Sequence, residues 1–246
     1  RLVNWSGVIG SSPAEDSRVI RVWPEHSQLS EGTWLKFATG QEGVFRIGYS
    51  DLVASGINPD TLIFSELQLY GNGGRMLPFE NNIDRPLDLP LLKIETQGEE
   101  DGVFNSGDAI FFHSSGVDSW NWNGSSERWS HEKHNWSDSA YYYLRIDGPS
   151  NLIGSRIDNP IANNLPISQE WSTHLARRFH EVESQNIAQS GREFYGEHFT
   201  YLGSQIYGFS FNIPNLVGDT GWVDARIAGR TLGATSDFTL LCNGEE

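Results

Sequence analysis

A chain of 246 residues has room for one large β domain or for two small domains, each with its own core. It carries 17 Lys and Arg against 32 Asp and Glu, and the resulting net charge of −15 repels phosphate backbones and excludes a nucleic-acid partner. No apolar run reaches the roughly 20 residues of a membrane helix, so no membrane span is expected, and a single cysteine, Cys242, excludes internal disulfides and metal sites built from several thiolates.

The chain opens at Arg1 without a basic stretch and apolar segment, so any signal peptide is expected to have been removed. An aromatic content of 12% together with 26 Gly suits an extracytoplasmic β protein better than a helical one. The first clear element is "VFRIGY", where Phe45, Ile47 and Tyr49 alternate onto one face of a strand. It runs into "YSDLVASGI", which reads as one short helix capped by Ser50 and ended by Gly56. "YGNGGRMLP", residues 70–78, lacks the Lys-Ser/Thr pair of a phosphate loop and the helix that would follow one. Its glycines point instead to a loop that needs positive φ, a conformational role.

"GEEDGVFNSGDAIFF", residues 98–112, sets Glu100, Asp101 and Asp108 in a glycine-bounded acidic turn before an apolar strand. The oxygen ligands suit Ca2+, although the intervals match no EF-hand loop; the plain alternative is a tight turn with solvated acids. "SWNWNGSSERWSHEKHNW" then carries Trp120, Trp122, Trp129 and Trp136 among Asn, Ser and Gly. This is either a long hairpin with its indoles packed back on the sheet or a carbohydrate-binding platform. Within it, His131 and His134 stand at i, i+3, whereas the zinc-protease pattern needs i, i+4 on a helix. "AYYYLRID" alternates again, with Tyr142, Leu144 and Ile146 on one face.

Pro, Asn and Gly punctuate residues 147–166, and apolar periodicity is lost there. The expected organisation is a β-rich domain over 1–148, a linker or crossover over 149–170, and a second β-rich segment over 171–246 that is incomplete by itself. The fold class expected is mainly β, β-sandwich-like, with one short helix and long loops. A second helix is conceivable over "RRFHEVESQNIAQSG", though its apolar spacing is poor. "SGREFYGEHF", residues 190–199, gathers groups a hydrolase could use, yet no thiol accompanies them and Ser190-Gly191 reads as a turn. Arg192, with its planar donor fork, together with Glu193, Phe194, Tyr195 and Glu197, reads instead as a segment that docks a neighbouring domain. Alternation returns in "IYGFSFNI" and "WVDARIAG". In "DFTLLCNG", Cys242 shares strand parity with Phe238 and Leu240, so its thiol is expected in the core rather than at a catalytic site.

Five of these stretches, "GVFRIGYSDLVASGI", "LQLYGNGGRMLP", "GEEDGVFNSGDAIFFHSSGVDSW", "HEKHNWSDSAYYYL" and "SGREFYGEHF", resemble in the same order the N-terminal, pre-catalytic region of the PorU family. These are gingipain-like cysteine peptidases that act as sortases of the type IX secretion system in the Bacteroidetes. The resemblance covers roughly residues 42–146 and 186–246. It implies an exported, outer-membrane-associated location at the cell surface. It further implies a downstream peptidase domain in the same protein, partners among the outer-membrane type IX components, and secreted cargo bearing C-terminal sorting signals. The Cys-His dyad belongs to that following domain, so the resemblance assigns no catalytic residue to this chain. The chain departs from the family pattern at Arg75, Asn105, Ser106 and Phe194. An autonomous surface module that binds glycan through the tryptophan-rich segment is the alternative reading.

Overall fold

The computed structural model describes residues 21–78, 80, 82–150, 156–157, 172–187, 189, 191, 193–200, 205–218, 221–230, 233 and 235–244. It divides into two units, Arg1–Trp122 with Glu132–Ala162, and Asn123–His131 with Asn163–Glu246. Among the described residues no helix is long and apolar enough to cross a membrane.

The first unit is a mainly β sandwich. One sheet has the order β1-β9-β3-β4, formed by β1 (Trp34–Thr39), β9 (Ala140–Arg145), β3 (Gln68–Tyr70) and β4 (Leu91–Leu92). The other has the order β2-β6-β5, formed by β2 (Glu42–Gly48), β6 (Ala109–Ser115) and β5 (Glu95–Gln97), and every pairing in both is antiparallel. A third, two-stranded sheet pairs β7 (Ser119–Asn123) with β8 (Arg128–Glu132).

Period-two patterning selects the strands and their buried faces. In β9 the residues Ala140, Tyr142 and Leu144 are buried while Tyr141 is exposed, and in β2 Ile47 is buried while Val44 and Arg46 face out. The inner faces meet through aromatic rings. Phe112 lies 4.9 Å from Tyr142 and 5.8 Å from Phe45, centroid to centroid. Beside them Phe64 stacks on Phe104 at 4.9 Å, and both are fully buried.

One polar group joins the two sheets. Ser114 Oγ on β6 receives the Tyr142 hydroxyl at 3.0 Å and the Gly116 N–H at 3.1 Å, and lies 2.7 Å from the Thr39 hydroxyl of β1. Ser114 itself is fully buried. Ser114→Ala is therefore expected to lower stability by about 1–3 kcal/mol, because it leaves buried donors without an acceptor. A shift of the urea midpoint at constant slope is the readout, and an unmoved midpoint would mean that water replaces the hydroxyl at no cost.

The short helix α1 (Tyr49–Ala54) forms where the sequence places it, but its cap differs. The carboxylate of Asp51 accepts the Gly48 N–H at 2.8 Å, so Gly48 is the N-cap and Ser50 lies inside the first turn. Gly56 follows the helix at φ +82°, as expected of a terminating glycine. In the second unit, residues 177–187 are not helical. Gln185 there forms an isolated antiparallel bridge with Tyr195.

The alternating stretches 206–213 and 222–229 form no ladder strands among the described residues, which corrects the sequence reading. Phe209 and Phe211 remain 47% and 49% exposed. Alternation defines a face, but a strand also requires a neighbour to take its backbone hydrogen bonds, and the sequence does not specify one.

Candidate functional site

The acidic turn is built around glycines and an arginine. Gly98 and Gly102, both left-handed at φ +87° and +81°, bracket a single 3-10 turn over Glu99–Asp101. Glu99 receives the guanidinium of Arg156 at 2.9 to 3.2 Å through both carboxylate oxygens, and the Thr96 hydroxyl as well. The hydrogen bond from Arg156 holds the Glu99 carboxyl below the usual glutamate range against the opposing effect of burial, with Thr96 adding to the downward shift. Arg156 also donates to the backbone carbonyls of Phe64 at 2.7 Å and Leu67 at 3.4 Å.

The carboxylates considered for calcium have local partners. Asp101 accepts the Val103 N–H at 3.0 Å and the Asn105 side-chain amide, and Asp108 accepts the Asn105 N–H at 2.6 Å. Glu100 is exposed beside them. Among the described residues no three His, Cys, Asp or Glu side chains converge as a metal site, so Glu100, Asp101 and Asp108 are not brought together as ligands.

The tryptophans are distributed rather than gathered. Trp122 and Trp136 are 48% and 58% exposed, while Trp120 and Trp129 are half-buried. Trp120, Trp122 and Trp136 belong to the first unit. Trp129 belongs to the second, where the Arg177 guanidinium lies 4.1 Å from its ring centroid. The two histidines have separate tasks: His131 meets Glu181 at 3.0 Å and stacks on Phe179, whereas His134 Nδ1 accepts the N–H groups of Trp136 and Ser137.

The 193–199 stretch is tied into the second unit. Glu193 receives Arg226 at 2.6 Å, and Glu197 receives His180 at 2.7 Å. That histidine contact holds the Glu197 carboxyl below its usual range. Tyr195 exchanges backbone hydrogen bonds with Gln185 at 2.8 and 2.9 Å, and Phe199 packs edge-on against Tyr207 and Phe238. Phe194 is half-buried, and Arg192 lies outside the described residues. Two of the expected docking groups, Glu193 and Glu197, thus have partners within their own unit.

Cys242 is exposed, which corrects the expectation of a core thiol. Its parity partners Phe238 and Leu240 are themselves 40% and 52% exposed, so the face they share is not a buried one. A maleimide is expected to label Cys242 in the folded chain at a rate close to that in denaturant. Strong protection in the folded chain would contradict this exposure.

Arg156 is a structural residue that the sequence reading missed. It sits in the stretch read as a crossover, 57 positions from Glu99, and no local spacing announces that partnership.

No family model matches the chain. No curated protein matches it either. Among solved structures it is similar to one described as the crystal structure of dimeric latent PorU from Porphyromonas gingivalis. The likeness is distant, with a TM-score of 0.37 and 24% identity, and it covers 49% of this chain and 10% of that one.

Proposed function

We propose that this chain is the non-catalytic β region of a PorU-like sortase of the type IX secretion system. In this reading it scaffolds a downstream cysteine peptidase domain, which removes C-terminal sorting signals from secreted cargo and attaches the cargo to the cell surface. The observation that carries the reading is that four stretches resembling that family, residues 43–57, 67–78, 98–120 and 131–144, supply most strands of the two main sandwich sheets and the connections beside them. Their polar residues serve architecture: Asp51 caps α1, Glu99 holds Arg156, Ser114 joins the sheets and His134 caps a turn.

In the second unit Ile206, Leu216 and Val217 are 90%, 70% and 78% exposed, and in this reading they are side chains available to a partner domain. With Glu193 and Glu197 held internally, docking falls to such apolar side chains and to Arg192. The partners are then the peptidase domain, outer-membrane type IX components and cargo, at the cell surface.

The test is cargo processing by the full-length protein carrying Arg192→Ala. Unprocessed cargo should accumulate while the amount of sortase at the surface stays unchanged. Normal processing by this variant would remove Arg192 from the docking role.

A further inference from the structure

Between the glycine-rich loop and the root of the β7–β8 hairpin, the first unit contains a cavity of about 160 Å³ lined by Arg75, Met76, Val117, Ser119, Asn121 and Glu132. The pocket is open to solvent, and its volume is close to the roughly 150 Å³ that accommodates a benzene ring, which gives room for one six-membered ring. We propose that this cavity binds a single neutral saccharide ring, a function separate from the sortase reading and independent of it.

The walls present polar groups of both signs. Among the described residues Arg75 makes no hydrogen bond or ion pair, and although it lines the same cavity as Glu132 the two do not form an ion pair. The Glu132 carboxylate has one long contact, 3.4 Å from the Asn121 amide, which also lies 3.4 Å from the Ser119 hydroxyl. A guanidinium offers only donors and a carboxylate only acceptors. An anion at this opening would be repelled by Glu132 and by the net charge of −15, and a cation, although drawn by that net charge, would lie against the Arg75 guanidinium. A hydroxyl group both donates and accepts, so a neutral polyol can accept from Arg75 and donate to Glu132 at once.

Met76 and Val117 complete the lining with apolar surface against which the C–H face of a sugar ring can lie. Val117 is buried, and Met76 is held by the Asn135 N–H, which contacts its sulfur at 3.5 Å.

The backbone fixes the arrangement. Gly74 is left-handed at φ +78°, and a Cβ placed there would lie 2.2 Å from the Ala140 Cβ, so the loop is pressed against the first residue of β9 just before it delivers Arg75 and Met76. Ser119 and Asn121 share one face of β7 by strand parity.

The test uses the 246-residue chain and tryptophan fluorescence or NMR titration. Glucose, galactose, mannose and N-acetylglucosamine are the probes, with alanine as a zwitterion and inorganic phosphate as an anion for comparison. At least one neutral sugar should bind saturably in the millimolar range. Arg75→Ala and Glu132→Gln should each weaken that binding by at least roughly tenfold without moving the thermal midpoint. The proposal is overturned if no sugar saturates, if neither substitution weakens binding, or if alanine or phosphate binds more tightly than every sugar. Because Arg75 and Glu132 are exposed, loss of fold should not obscure the result.

Discussion

Tyr142→Ala is expected to destabilise the first unit by about 3–5 kcal/mol, the range seen when a large buried ring is cut back to a methyl group. Tyr142 has no exposed surface, and its ring lies 4.9 Å from Phe112 of the opposite sheet. Across the ladder it faces Phe37, and the backbone of Gly71 approaches so closely that a Cβ there would lie 2.8 Å from the tyrosine ring. Removing the ring opens a void that neighbours from two sheets cannot close together. Its hydroxyl adds the hydrogen bond to Ser114 at 3.0 Å. Tyr142→Phe keeps the ring and loses only that bond, so it should cost about 1 kcal/mol. Urea unfolding of both variants separates the two contributions. Equal costs for Ala and Phe would show that the ring does not hold the sheets together.

Arg156→Ala is the second large effect, expected at about 2–4 kcal/mol. It removes charge-assisted hydrogen bonds to Glu99 and leaves the carbonyls of Phe64 and Leu67, two fully buried residues, without this donor. The Arg156 and Glu99 side chains are 27% and 37% exposed, so the loss should fall short of that for a fully buried pair.

The same pair sets a pH dependence. The Glu99 carboxyl titrates lower in the folded chain than in the unfolded chain, principally through its hydrogen bond to Arg156. The unfolded state therefore takes up the proton first as pH falls. The stabilisation is complete above the ordinary glutamate range and disappears as pH drops through and below it. In Glu99→Gln this component of the acid dependence should vanish. An unchanged acid-unfolding profile in that variant would show that other carboxylates govern it.

Much of the first unit is legible in the sequence because short-range rules determine it. Alternation at Phe45 and Ile47, and at Tyr142 and Leu144, identifies buried faces, since strand geometry sends every second side chain to the same side. The glycine-rich loop is legible for a similar reason: Gly73 and Gly74 stand at φ +83° and +78°, where a Cβ is disfavoured. The Asp51 cap was harder to see, because Ser50 is a stronger local signal than a glycine cap assisted from three residues ahead.

Long-range chemistry was not legible. The partnership of Arg156 with Glu99 and the cavity shared by Arg75 and Glu132 join residues more than fifty positions apart, and no spacing rule connects them. Parity failed at Cys242 because it presumes a covered face, and Phe238 and Leu240 do not lie on one. Within residues 190–199, residue types alone mark Arg192, Glu193, Phe194, Tyr195 and Glu197 as a docking segment. The partners of Glu193 and Glu197 within the second unit, Arg226 and His180, lie at separations that composition cannot reveal.

The scaffold role is tested most directly by cargo processing in cells that express the full-length protein with Ile206→Asn and Leu216→Asn. Both side chains are highly exposed, at 90% and 70%, so the substitutions should leave the second unit's own packing unchanged. If these side chains help to position the peptidase domain, removal of C-terminal sorting signals should fall by roughly tenfold or more, the consequence of a small misplacement of reacting groups, while surface levels of the protein stay normal. Undiminished processing by the double variant, or cleavage of a sorting-signal peptide by the 246-residue chain that Cys242→Ala abolishes, would contradict it.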